Sequence, residues 1–96
     1  MWQYHPDHRA AGNIAFNAWL QSGMRFAFYF SEDQAYAEMV APLFVPNRWV
    51  DIGSVMELKR ESILANRFIK DFWSESEMCS RYRGREYGCQ YGEAFV

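Results

Sequence analysis

Ninety-six residues, 50% of them apolar and 23% charged, suit one small folded core and exclude the high-charge, apolar-poor balance of a disordered chain. A formal charge of −2 and an isoelectric point near 5.6 exclude a global electrostatic drive toward phosphate or anionic lipid, which clustered Lys and Arg would supply. Aromatic residues make up 19% of the chain; each ring buries about 150 to 250 Å² when enclosed, so a core this small leaves some rings at the surface.

The N-terminal MWQYHPDH lacks the basic start and apolar run of a signal peptide, and no apolar stretch reaches the ~18 residues of a membrane span. A cytoplasmic protein with no membrane contact is expected. From Asp7, as N-cap, the spacing of Ala11, Ile14, Ala15, Ala18 and Trp19 predicts a helix that stops at Gly23, where glycine tolerates the left-handed conformation of a helix end. MRFAFYF at 24–30 alternates Met24, Phe26, Phe28 and Phe30 against Arg25, Ala27 and Tyr29 and predicts a strand. Ser31 with Gln34 has capping-box spacing for a second helix, carrying Tyr36, Val40 and Leu43 and limited by Pro42 and Pro46.

RWVDI at 48–52 predicts a second strand, and the connection from Phe30 is long enough for a helix, so a parallel strand-helix-strand crossover is the expected topology. Ser54 and Glu57 mark another helix start, with Leu64, Ala65, Phe68 and Phe72 along one side and Ile69 and Trp73 beside them. SESEMCS breaks this pattern. In the run from 80 to 96, Tyr87, Cys89 and Tyr91 fall on one face of a C-terminal strand. With no internal repeat and no dividing linker, the expected fold is a single α+β domain over 1–96, in the order α-β-α-β-α-β, with helices on one face of a small sheet. Tyr29, Trp49 and the tail tyrosines are expected on the open face.

No motif carries a reaction. His5 and His8 with Cys79 and Cys89 supply zinc-ligand types, but cysteines nine residues apart lack the close pairing of structural zinc sites; no metal or cofactor is expected. A Cys/His pair for nucleophilic catalysis has no local signature, and the neighbouring carboxylates Glu32–Asp33 and Glu75–Glu77 suit helix starts better than acid-base work. Phosphate-cradling glycine motifs are absent, and the glycines at 84, 88 and 92 look like turn or strand breakers.

Arg81, Arg83 and Arg85 are offset by Glu86, Glu93 and the terminal carboxylate, whereas a nucleic-acid arm should be clearly basic. Arg and Tyr are enriched at protein hot spots, and a last strand offers edge groups for pairing. The expected function is that of a small non-enzymatic binding protein acting by stoichiometric association with another protein, as a regulator or inhibitor such as a phage makes against host machinery, and itself a homo-oligomer, most simply a dimer. Its binding residues are Trp49, Arg81, Tyr82, Arg83, Arg85, Tyr87 and Tyr91. On this reading, replacing Arg83, Arg85 and Tyr87 with alanine leaves the fold intact. The alternatives are an RNA or single-stranded nucleic-acid binder through the same segment, and a small enzyme using a Cys/His pair.

Overall fold

Pro6 opens helix α1, Pro6–Gln21, at a first-turn position where its missing N–H costs nothing. His5 rather than Asp7 is the N-cap: its Nδ1 accepts the Asp7 N–H at 3.2 Å. Asp7 sits instead in the first turn, where a carboxylate favours the helix dipole. The helix stops at Ser22, followed by two left-handed residues, Gly23 at φ 79° and Met24 at φ 55°. The computed structural model describes residues 5–32 and 44–96. The helix expected from Ser31 to Leu43 lies for the most part outside them.

Residues 24–30 do not form the expected strand. The left-handed turn folds the segment back onto α1, where the Trp19 indole N–H donates to the Phe26 carbonyl at 2.7 Å. Phe16 and Trp19 of α1 then meet Phe28 and Phe30, with ring centroids 5.1 to 6.1 Å apart. The predicted apolar face is split, for Met24 and Phe26 stay exposed. Only the end of the segment pairs: Phe30 and Val96 exchange both backbone hydrogen bonds, and Ser31 bridges to Phe95.

Strand β1, Arg48–Asp51, forms as the alternation predicts. It pairs with β2, Gly92–Phe95, with Arg48 opposite Phe95 and Asp51 opposite Gly92. The ladder is antiparallel, which corrects the expected parallel pairing of 24–30 with 48–52. Residues 30–31 and β1 do run in one direction, but the C-terminal strand lies between them and takes the hydrogen bonds of both.

After β1, Asp51 accepts the Gly53 N–H at 2.9 Å and a 3₁₀ turn at Gly53–Val55 leads into α2, Met56–Ala65. No side chain caps α2, so the Ser54–Glu57 box is not formed; Glu57 pairs with Arg60 instead, at 3.1 Å. The helix expected to continue to Trp73 ends at Asn66, whose backbone turns extended and whose side chain accepts the Phe68 N–H at 2.9 Å. A second 3₁₀ turn at Lys70–Phe72 precedes α3, Trp73–Tyr87.

Two expectations are corrected by α3. SESEMCS lies inside it rather than breaking a helix, and Tyr87, expected on the C-terminal strand with Cys89 and Tyr91, is the last residue of the helix. Gly88, left-handed at φ 91°, ends the helix, and the final strand starts only at Gly92. The architecture is thus mixed α+β, with three α-helices and a two-stranded antiparallel sheet among the described residues. Ile52, Met56, Cys79 and Ala94 are the buried apolar residues among those described, and α1 buries none of its own. No helix in the described residues is long and apolar enough to cross a membrane.

Candidate functional site

The two sides of α3 do different things. Facing the sheet is a stripe at helical spacing, Ser76, Cys79, Ser80, Arg83 and Gly84, all buried. Small side chains there bring the helix close to β2 and to the turn that precedes it, and at Gly84 the approach to that turn is extreme: a Cβ would lie 2.7 Å from the Cys89 carbonyl oxygen and 2.8 Å from Gln90 backbone atoms. A Cβ on Gly92 would likewise lie 3.1 Å from the Arg83 and Gly84 backbone. Two of the three evenly spaced glycines therefore serve a helix–strand crossing, and Gly88 serves the turn between.

Arg83, 4% exposed, occupies the middle of this face. Its Nε and Nη2 bind both oxygens of Glu32 at 2.9 and 2.7 Å, and its Nη1 binds Glu86 at 2.7 and 2.9 Å. Glu86 also accepts the Trp49 indole N–H at 3.0 Å. A chain of charge-assisted hydrogen bonds thus runs from the segment beside β2, through α3, to β1. Burial pushes the Glu86 carboxyl up, but hydrogen bonds from Arg83 and Trp49 with the Arg83 charge outweigh it and hold it below the usual range. A depressed carboxylate contributes stability above its unfolded pKa and loses it as pH falls through the folded one, so this chain of bonds weakens in acid.

Cys79 lies against the same cluster, its thiol donating to Glu32 at 3.2 Å. Burial first, then the Glu32 charge and hydrogen bond, push the thiol up to about 12. A nucleophilic thiol needs the opposite shift. Alkylation of the native protein at pH 8 is therefore expected to leave Cys79 unmodified until the fold opens, as read by peptide mass mapping; rapid native labelling would contradict it. A raised thiol pKa contributes stability below its unfolded value, and that contribution is lost as pH rises toward about 12.

Beside the cluster, Lys59 from α2 bridges Ser80 at 3.0 Å and Glu93 at 2.8 Å. A cavity of about 230 Å³ opens there, lined by Ser31, Glu32, Lys59, Arg83, Glu93 and Phe95. Its charges already neutralise one another in pairs, and no buried side-chain nitrogen or oxygen among the described residues lacks a partner. His5 and His8 stack on each other at 4.8 Å at the start of α1, while the Cys89 thiol donates to the Tyr91 carbonyl. Among the described residues no three His, Cys, Asp or Glu side chains are placed to hold a metal ion.

The side of α3 turned away from the sheet carries two parallel rows four residues apart in sequence: Ser74, Met78, Tyr82 and Glu77, Arg81, Arg85. Together they line a groove of about 500 Å³. Met78 and Tyr82 are each 58% exposed. Arg81 pairs with Glu77 at 2.9 Å and lies over the Tyr91 ring at 4.9 Å, which holds its guanidinium in place. Arg85 forms no ion pair with any described residue.

The structure thus gathers Arg81, Tyr82, Arg85 and Tyr91 on or beside one surface. It leaves Tyr87 exposed near the helix end, turns Arg83 into the core and places Trp49 on the α3 side of the sheet, bonded to Glu86. Of the residues expected on the open sheet face, Tyr29 is exposed and packs edge-on to Phe95. Sequence reasoning missed Glu32, Glu86 and Lys59 as partners; only the i,i+3 spacing of Arg83 and Glu86 offered a local signal. Compared with models of protein families, with curated proteins and with solved structures, the chain matches none.

Proposed function

We propose that this chain is a small non-enzymatic binding protein that associates stoichiometrically with another protein, as a regulator or inhibitor, through the outer side of α3. The observation that carries this reading is the division of labour on that helix. Its inner side spends the buried Arg83 on holding the fold, while its outer side presents Met78, Tyr82, Arg81 and Arg85 to solvent. Tyr and Arg are among the residue types enriched at interface hot spots. The inner cluster gives no support to the enzymatic alternative, since Cys79 is bonded to a carboxylate rather than a histidine.

The double variant Tyr82→Ala/Arg85→Ala is expected to stay folded with a modest fall in melting temperature, because both side chains are exposed but the Tyr82 ring lies 5.0 Å from the Arg83 guanidinium, and to weaken partner binding by about 2 kcal/mol or more. Affinity measured on the partner recovered from the native host checks this; unchanged affinity rejects the α3 surface. Self-association is part of the same reading, supported by an α1 that buries no residue. Light scattering is expected to give twice the 11.4 kDa chain mass, and a mass that stays monomeric over a hundredfold concentration range counts against it.

A further inference from the structure

We propose that the groove on α3 receives an acidic amphipathic α-helix of the partner protein. This rests on the assignment of the outer side of α3 as the binding surface and adds the chemistry of what binds there. A helix satisfies its backbone groups internally, so α3 offers no edge for strand addition and recognition falls to its side chains.

Those side chains form two ridges of the i±4 kind, Ser74–Met78–Tyr82 and Glu77–Arg81–Arg85, with a groove between them. This is the surface into which an i±4 ridge of a second helix packs, at a crossing angle near −50°. From Ser74 to Arg85 the groove runs about three turns of helix, enough for one ridge of a crossing partner.

The two ridges differ in character, and that sets the partner's composition. Met78 and Tyr82 offer an apolar flank, each more than half exposed. On the other flank Glu77 neutralises Arg81, while Arg85 has no ion-pair partner among the described residues. A helix with apolar residues four apart and Asp or Glu on the adjoining row places its apolar ridge against Met78 and Tyr82 and a carboxylate against Arg85. A phosphate backbone fits less well, because its unbroken row of charges would also face Glu77 in the groove lining, whereas a helix can set a carboxylate against Arg85 and leave Glu77 unopposed by charge.

The test uses the full chain and three labelled probes in anisotropy titrations. They are a helical peptide of about 18 residues with Leu and Phe at i, i+4 spacing and Glu elsewhere, the same peptide with every Glu replaced by Lys, and a mixed-sequence RNA of roughly 10 nucleotides. The Glu peptide is expected to bind, with affinity falling roughly tenfold in Arg85→Glu and in Met78→Ala/Tyr82→Ala, and Arg85→Glu is expected to gain affinity for the Lys peptide. Arg85→Gln, which keeps a neutral polar side chain, should show an intermediate loss. Equal binding of the Glu and Lys peptides, no response to Arg85→Glu, or RNA binding with steep salt dependence overturns the inference. So does failure of the Glu peptide to bind when the native partner is still lost on Tyr82→Ala/Arg85→Ala, an outcome that leaves the α3 surface standing.

Discussion

Arg83→Ala is expected to cost about 3 to 5 kcal/mol, the usual effect of removing one partner from a buried ion pair, against a total stability of roughly 5 to 15 kcal/mol for a domain of this size. The reason lies less in the attraction lost than in what remains. Glu32, its side chain 5% exposed, would be left buried without its charge partner, with the Cys79 thiol the one remaining side-chain donor to it among the described residues. Glu86 would retain the Trp49 indole N–H but lose two charge-assisted bonds. The side-chain link from Glu32 to α3 would be reduced to that thiol bond. Urea unfolding followed by circular dichroism measures the cost. Arg83→Met combined with Glu32→Gln, which removes both charges, is expected to lose clearly less than Arg83→Ala. A loss below about 1 kcal/mol in the alanine variant would place the pair among surface bridges of little consequence.

The second large effect is expected at Gly84. Alanine inside a helix ordinarily gains up to about 1 kcal/mol over glycine, so a reading from helix propensity gives the wrong sign here. The new Cβ would sit 2.7 Å from the Cys89 oxygen and 2.8 Å from Gln90 backbone atoms, and backbone cannot rotate aside as a side-chain tip can. Relief requires moving the 88–91 turn, and β2 with it, away from α3. A net loss of about 2 to 3 kcal/mol is expected for Gly84→Ala, with Gly84→Val worse. Thermal unfolding of the alanine variant checks the sign: a raised melting temperature would mean that the crossing is looser than the geometry states.

These two residues also show why the fold was only partly legible in the sequence. Helix α1 and strand β1 were readable from their spacing, with Gly23 marking the end of α1, although its N-cap is His5 rather than Asp7. The inner stripe of α3 keeps perfect helical spacing but is written in Ser, Cys, Arg and Gly, so a search for apolar periodicity passes over it and sees a break at SESEMCS. The segment 24–30 failed for the opposite reason. Its alternation is strong, but a strand needs a neighbour, and the left-handed turn at Gly23 and Met24 delivers it to the rings of α1 instead. The position of the last strand was shifted because Tyr87, Cys89 and Tyr91 mimic period two across a helix end and a turn.

The candidate surface was legible as composition but not as geometry. Arg81, Tyr82 and Arg85 were read as exposed binding residues, and they line the outer groove. Arg83 has the same neighbours and the same chemistry, yet the 100° step of the helix turns it to the sheet, where Glu32, distant in sequence, meets it. A variant that includes Arg83 therefore confounds binding with folding, and the triple replacement of Arg83, Arg85 and Tyr87 is expected to destabilise the protein rather than leave it intact.

The most direct test of the assignment of α3 is a quantitative co-purification from the native host of the wild-type chain and Tyr82→Ala/Arg85→Ala, analysed by mass spectrometry, with both proteins shown beforehand to be fully folded at the temperature of the assay. The account predicts one protein enriched at a fixed stoichiometry with the wild type and reduced at least tenfold with the variant. Recovery of the same protein in equal amount with both would contradict it.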